Sequence, residues 1–202
     1  MNLRKYFIMG SQNCDRKPED ILEEAAKAGI TAFQFREKGE GSLTGKEKLA
    51  LGQRLRDICA RHNVLFFVND DLDLVEPLEA DGLHIGQDDM PLEKAREIYP
   101  DKKIGLSVSN QAEVDNSPVH LADYLGAGSV FATSSKDDAE QAVGLEWIKS
   151  LRQQYPDIPI VGIGGITEKN AASVIKAGAD GVAVISAITK TDNIERAVKS
   201  LS

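Results

Sequence analysis

The stretch "IKAGADGVAVI", residues 175–185, joins the predicted end of a helix to an apolar, β-branched strand. Similar joints occur in "KAGITAFQF" (27–35), "LEADGLHIG" (78–86) and "HLADYLGAG" (120–128). In each of them a small or charged helical end is followed by a short turn and then by an apolar run. This weak internal repeat indicates that one helix–strand unit recurs along the chain.

The apolar runs predict a barrel of parallel strands. Eight runs read as strands, at 6–10, 32–35, 65–68, 82–86, 104–108, 124–131, 158–164 and 181–185. The clearest helices are predicted at 44–63, 145–156, 167–178 and 193–201. Alternation of strand and helix requires parallel strands joined by crossover helices. Eight such units predict a compact (β/α)8 TIM barrel, an α/β fold, with residues 1–202 as a single domain. An open doubly wound sheet usually has five or six strands and would leave about two units unexplained.

Composition narrows the class of function. The 202 residues are 42% hydrophobic and 28% charged, as in an ordinary globular domain, and the net charge is −8. This negative balance argues against a general affinity for nucleic acid or an anionic membrane. No apolar run approaches the roughly 18 residues of a membrane span, and the first residues lack the apolar segment of a signal peptide. The two cysteines fit no metal or redox spacing, so a reduced, cytoplasmic location is expected.

Polar residues follow nearly every predicted strand. In a barrel of this class the chemistry lies at the C-terminal ends of the strands, where all these side chains would share one rim. In chain order they are Gln34, Arg36 and Lys38, then Asn69 and Asp70, then Gln87, Asp88 and Asp89, then Ser107 and Ser109, then Thr133, Ser135 and Lys136, and finally Ser186.

Two features of this rim predict an anionic ligand with a metal. A Gly164–Gly165 turn after the seventh strand, with Ser186 after the eighth, lies where such barrels bind phosphate, although a simple tight turn would have the same sequence. Asp70 and Asp89 follow adjacent strands, so their carboxylates can meet across one Mg²⁺ that takes its other ligands from phosphate and water. Solvated loop acids are the alternative interpretation.

The motifs, in their order and spacing, resemble those of the thiamine phosphate synthase family. They are "QFREK", "VNDD", "GLHIGQDD", "GLS", "VGIGGIT" and "AGADGVAVISAI", and together they cover essentially the whole chain. The resemblance implies a transferase that joins hydroxymethylpyrimidine diphosphate to hydroxyethylthiazole phosphate, with Mg²⁺ as cofactor. The products would be thiamine phosphate and diphosphate. The sequence offers no obvious nucleophile with a paired base, and a dissociative displacement needs none.

The resemblance also implies a role for each matching residue. The pyrimidine diphosphate site would comprise Gln34, Phe35, Arg36, Glu37, Lys38, Asn69, Ser107 and Lys136. The thiazole phosphate site would comprise Thr133, Ser134, Ser135, Gly165, Ile185 and Ser186. Asp70 and Asp89 would hold the metal. Arg36, Ser107 and Lys136 would be the catalytic residues, with the two cations neutralising the departing diphosphate.

Four positions depart from the family pattern. "GSVFATSSK" (128–136) has Ser129 and Ala132 where the family has prolines, and Ser135 where it has a second threonine. Ser109 stands where the family has a histidine.

Two alternatives therefore stay open. One is the related thiazole tautomerase, which uses that histidine for proton transfer and lacks the paired acids, so this sequence fits it poorly. The other is a non-catalytic, phosphate-binding regulatory paralogue. The expected partners are small-molecule substrates, and a homo-oligomer is compatible with the sequence.

Overall fold

Eight parallel strands close into a barrel at the centre of the molecule. The computed structural model describes residues 1–134 and 142–201. The strands are β1 (Lys5–Met9), β2 (Ala32–Phe35), β3 (Leu65–Asn69), β4 (Gly82–Ile85), β5 (Lys103–Val108), β6 (Tyr124–Ala127), β7 (Ile160–Ile163) and β8 (Gly181–Val184). Each pairs in parallel with the next, and β8 pairs with β1 to close the ring. The predicted (β/α)8 barrel is therefore confirmed.

Helices surround this barrel. Within the described residues they are α1 (Pro18–Ala28), α2 (Gly45–Arg61), α3 (Leu92–Ile98), α4 (Gln111–Asp115), α5 (Gly144–Gln154), α6 (Ala171–Lys176), α7 (Ser186–Thr189) and α8 (Ile194–Lys199). The crossover from β3 to β4 departs from strict alternation, because it contains only a 3-10 turn at Leu72–Leu74. No helix among the described residues is long and apolar enough to cross a membrane.

Two apolar layers hold the fold together. Side chains alternate across each strand, so one set points towards the helices and the other into the barrel. Phe33 and Phe66 belong to the outer layer, where their ring centroids lie 5.8 Å apart. The inner layer contains Tyr6, Phe67 and Tyr124, and all three side chains are at most 1% exposed. The interior is thus filled, and a ligand can enter only at an end of the barrel.

A hydrogen bond repeated four times fastens the N-terminal end of the barrel. In each strand pair, a backbone N–H at the start of the odd strand donates to the side chain just before the even strand. The four bonds are Lys5 N to Thr31 Oγ1 (3.1 Å), Phe66 N to Asp81 Oδ2 (2.8 Å), Ile104 N to Asp123 Oδ2 (2.8 Å) and Ile160 N to Asp180 Oδ2 (2.8 Å). This repeat lies at the joints that recur in the sequence. The recurring joints therefore stabilise the N-terminal end of the barrel, opposite the polar rim.

Candidate active site

The polar residues that follow the strands surround one cavity at the C-terminal end of the barrel. Its lining includes Lys38, Gln87, Asp88, Asp89, Ser107, Ser109, Glu113, Thr133, Gly164, Gly165, Ile185 and Ser186. The structure therefore brings together residues from six different strand ends, as parallel strands in one barrel require.

A pair of carboxyl groups lies at this rim beside a lysine. Asp70 follows β3 with φ 58°, and its N–H donates to the carbonyl of His84 at 3.0 Å. Asp89 follows β4, and its Oδ2 accepts from the N–H of Gly86 at 2.7 Å. Burial and the neighbouring Asp70 carboxyl raise the pKa of Asp89. Lys38 Nζ lies 2.5 Å from Asp70 Oδ2. The two acids are thus adjacent, and an ammonium group already compensates part of their charge.

This pair fits Mg²⁺ better than a transition metal. Across residues 1–134 and 142–201, no group of three or more His, Cys, Asp or Glu side chains is arranged to hold an ion. Mg²⁺ is commonly held by one or two carboxylates and completes its shell with water and phosphate oxygens. Asp70 and Asp89 would supply that donor set at the edge of the cavity.

The segment after β2 carries two cations and one acid. Arg36 is 7% exposed and Glu37 is 4% exposed, although both are charged. The carboxylate of Glu37 points to the β1–α1 loop, where it accepts from the N–H of Ser11 at 2.7 Å. The ring of Phe35 lies in the outer core, with its centroid 6.4 Å from that of Phe66. Of this predicted set, Lys38 is the side chain that lines the cavity.

A chain of hydrogen bonds runs from the cavity down into the barrel. Ser107 Oγ lies 2.8 Å from His84 Nε2, and His84 Nδ1 lies 2.9 Å from the hydroxyl of Tyr124. The hydroxyls of Tyr124 and Tyr6 are 2.8 Å apart, and Gln34 Nε2 donates to Tyr6 at 3.1 Å. Burial raises the pKa of both tyrosines, so both hydroxyls stay protonated at neutral pH. The chain orients Ser107, and it places Gln34 beneath the rim.

The polar residues predicted at the rim do not include His84, so the sequence analysis did not predict this interior network. A usable signal was present in "GLHIG". The period of two puts His84 on the opposite face from Leu83 and Ile85, which are buried outside the barrel. A histidine that points into a barrel needs polar partners, and Tyr124 provides one.

The turn after β7 strongly favours glycine at both of its positions. Gly164 has φ 100° and Gly165 has φ 61°. A Cβ on Gly164 would lie 2.6 Å from Ser129 Cα, and one on Gly165 would lie 2.5 Å from the carbonyl oxygen of Ala132. The loop after β6 therefore packs directly on this turn, with the N–H of Val130 donating to the carbonyl of Ile163 at 2.8 Å. The two loops shape one wall of the cavity.

The remaining predicted site residues are Asn69, Ser134, Ser135 and Lys136. Asn69 ends β3 and is partly buried, whereas Ser134 is exposed. Ser135 and Lys136 lie outside the described residues. Ser109 lines the cavity, and its N–H donates to Glu113 Oε2 at 2.7 Å. Glu113 is a further lining carboxylate that the rim pattern did not predict.

Residues 5–188 match the family model described as thiamine monophosphate synthase. A thiamine-phosphate synthase from Oceanobacillus iheyensis is 58% identical over 98% of this chain and 97% of its own length. One from Streptococcus suis is 48% identical over 98% of this chain and 87% of its own length.

Solved structures agree with these sequence matches. The structure of thiamine phosphate pyrophosphorylase from Pyrococcus furiosus is similar with a TM-score of 0.86 at 36% identity, and the match covers 99% of this chain and 94% of that one. A 3-hexulose-6-phosphate synthase structure is similar with a TM-score of 0.63 at 15% identity, over 98% of this chain and 97% of that one. This second likeness concerns the fold alone.

Proposed function

This chain belongs to the thiamine monophosphate synthase family, and from that premise we propose the reaction it catalyses. It joins hydroxymethylpyrimidine diphosphate to hydroxyethylthiazole phosphate, releasing diphosphate and forming thiamine phosphate. The chain is therefore a transferase of thiamine biosynthesis that acts on small molecules. The observation that carries the proposal is the adjacent pair Asp70 and Asp89, beside Lys38, at the rim of a cavity that also contains the Gly164–Gly165 turn.

Asp70 and Asp89 are the residues that would hold Mg²⁺. When bound, the ion supplies positive charge to the diphosphate as its bond to the pyrimidine methylene carbon breaks. Lys38 lies 2.5 Å from Asp70, so the same patch offers an ammonium group to a diphosphate oxygen. Arg36 and Lys136 complete the cationic set in this proposal.

The bond breaks in a dissociative manner. The methylene–oxygen bond cleaves, both electrons leave with the diphosphate, and the electron-rich aminopyrimidine carries the positive charge that remains. The thiazole nitrogen then donates its lone pair to the methylene carbon. No protein nucleophile or general base is required, so the chain's contribution is to position both substrates and stabilise the leaving group.

The cavity offers separate places for the two substrates. In this proposal Ser107, held by His84, serves the pyrimidine together with Asn69 and the polar interior that contains Gln34. Thr133, Gly165, Ile185 and Ser186 line the same cavity and would receive the thiazole phosphate. Backbone N–H groups at a glycine turn can approach an anion closely because no side chain intervenes. Ser134 and Ser135 belong to the same predicted phosphate site.

The two alternatives have less support. A thiazole tautomerase would need a proton-transferring histidine, and position 109 is a serine whose N–H is bonded to Glu113. A non-catalytic paralogue would have no need of the paired acids next to Lys38. A cytoplasmic location and a homo-oligomeric state stay predictions.

Turnover of the two purified substrates, with and without Mg²⁺, tests this function. We expect thiamine phosphate and diphosphate in equal amounts, and only with the metal. Asp70→Ala should lose this activity while keeping its thermal unfolding transition, because Asp70 lies at the rim. Isomerisation of a thiazole substrate alone would favour the tautomerase. Binding of both substrates without any product would favour the paralogue.

A further inference from the structure

Glu37 lies between the two cations of the segment after β2, and its side chain is saturated by donors from the protein. Its Oε2 accepts from the N–H of Ser11 at 2.7 Å. Its Oε1 accepts from the hydroxyl of Ser11 and from the N–H of Leu43 at 2.6 Å. A carboxylate that is only 4% exposed needs such bonds, because leaving a charge unsolvated is costly. These donors belong to the β1–α1 and β2–α2 loops.

Gln12 holds the same segment through its backbone. Its Nε2 donates to the carbonyl of Arg36 at 2.9 Å and to the carbonyl of Lys38 at 2.9 Å. Arg36 N–H in turn donates to the carbonyl of Met9 at 3.0 Å, which extends the pairing of β2 with β1. A Cβ on Gly10 would overlap the carbonyl oxygen of Arg36, so the two backbones are in direct contact.

Side chains alternate between the two sides of the segment after β2. In an extended segment, residues 36 and 38 point to one side and residue 37 points to the other. Lys38 reaches the cavity and Asp70, while Glu37 faces the neighbouring loops. Lys38 therefore lies on the cavity side of the segment, and the opposite side is bonded to the scaffold through Glu37.

We propose that Ser11, Gln12 and Glu37 form a clamp that positions Arg36 and Lys38 for the diphosphate, and that Glu37 is a positioning residue without contact to substrate. This assignment rests on the proposed function and replaces the substrate-binding role that the family resemblance implies for Glu37. A displacement of about 1 Å in a cation can cost on the order of 100-fold in rate, so loosening the clamp should act on diphosphate binding and leaving-group stabilisation.

Three variants and one control test the clamp. Glu37→Gln puts an NH₂ group where an oxygen now accepts from N–H donors. Gln12→Leu removes both carbonyl contacts without changing charge, and Ser11→Ala removes one bond but keeps the Ser11 N–H. The matched control is Asp180→Asn, which alters another carboxylate that accepts a backbone N–H, at the opposite end of the barrel.

The readouts are calorimetric binding of inorganic diphosphate with Mg²⁺, KM for each substrate, and the thermal unfolding midpoint. We expect Glu37→Gln and Gln12→Leu to weaken diphosphate binding at least about tenfold, with KM for the thiazole phosphate within about twofold. Ser11→Ala should have a smaller effect of the same kind. Asp180→Asn should lower the unfolding midpoint and leave diphosphate binding unchanged.

The outcomes separate the clamp from its alternatives. Weakened binding in Glu37→Gln with normal binding in Gln12→Leu would place Glu37 in contact with the ligand and overturn the proposal. Normal binding in both folded variants would also overturn it. Because Gln12 is only partly buried, its variant is expected to fold even if Glu37→Gln does not. A wild-type protein that binds no diphosphate would instead refute the proposed function itself.

Discussion

Replacing Asp89 with asparagine is expected to stabilise the metal-free enzyme while it removes Mg²⁺-dependent turnover. The carboxyl of Asp89 is partly buried next to that of Asp70, and both conditions raise its pKa. An asparagine keeps an oxygen that can accept the N–H of Gly86, which now donates to Asp89 at 2.7 Å. The substitution therefore removes the charge and retains the local hydrogen bond.

The expected gain is modest because the repulsion is screened. Two like charges about 4 Å apart repel by about 1 kcal/mol in water and by about 4 kcal/mol near a protein surface. Lys38 lies 2.5 Å from Asp70 and offsets part of that charge, and its own side chain is 47% exposed. We therefore expect about 1 kcal/mol, which raises the unfolding midpoint of a domain of this size by about 2–4 °C.

The stability gained by Asp89→Asn should increase with pH. Because the pKa of Asp89 is raised in the folded state, folding favours its protonated form. The ionised carboxylate then lowers the free energy of unfolding at pH values above its folded pKa. This penalty disappears as the pH falls below the ordinary value near 3.9. The advantage of Asp89→Asn should be present at pH 7.5 and should vanish towards pH 4.

Thermal unfolding followed by circular dichroism measures both effects. In EDTA at pH 7.5 the variant should unfold at the higher temperature. Diphosphate and Mg²⁺ at about 100 times their dissociation constant stabilise a protein that binds them by about 2.7 kcal/mol, and this gain should be smaller in the variant. The order of the two midpoints should then reverse. A variant less stable than wild type in EDTA would refute the reasoning, and equal stabilisation by the ligands would remove Asp89 from the metal site.

Four further substitutions test other parts of the proposed site. Gly165→Ala forces a side chain into a left-handed conformation, 2.5 Å from the carbonyl of Ala132, so it should cost at least about 1 kcal/mol of stability and raise KM for the thiazole phosphate. An unchanged KM would show that this turn does not bind the phosphate. His84→Leu and Ser107→Ala should each lower kcat/KM by about tenfold, and the double variant should lose less than the sum in free energy, because the two side chains share one bond. Additive losses would show that they act independently. Lys136→Ala should lower kcat by about 100- to 1,000-fold if its ammonium meets the leaving diphosphate, whereas an unchanged kcat would place it in solvent.

Short segments of the sequence are enough to predict the number of strands, their order and the end of the barrel where the polar residues gather. Every predicted run overlaps a strand, and that for β2 at 32–35 has the observed bounds. The reason is local, since side-chain period and glycine position are properties of short segments. Helix ends were less well determined. The predicted helix 167–178 is α6 at Ala171–Lys176, because residues before Asn170 form a turn in which the Thr167 N–H donates to Asn170 Oδ1 at 2.8 Å.

Which polar groups meet depends on how distant parts of the chain pack together. The bond between the hydroxyls of Tyr6 and Tyr124 joins residues 118 positions apart, and it exists because both side chains point into the closed barrel. The direction of Glu37 likewise depends on a neighbouring loop that presents the N–H of Ser11. Such contacts follow from barrel closure and from loops packing on each other, and no short segment contains that information. The candidate rim could therefore be predicted from sequence, while the groups that orient it could not.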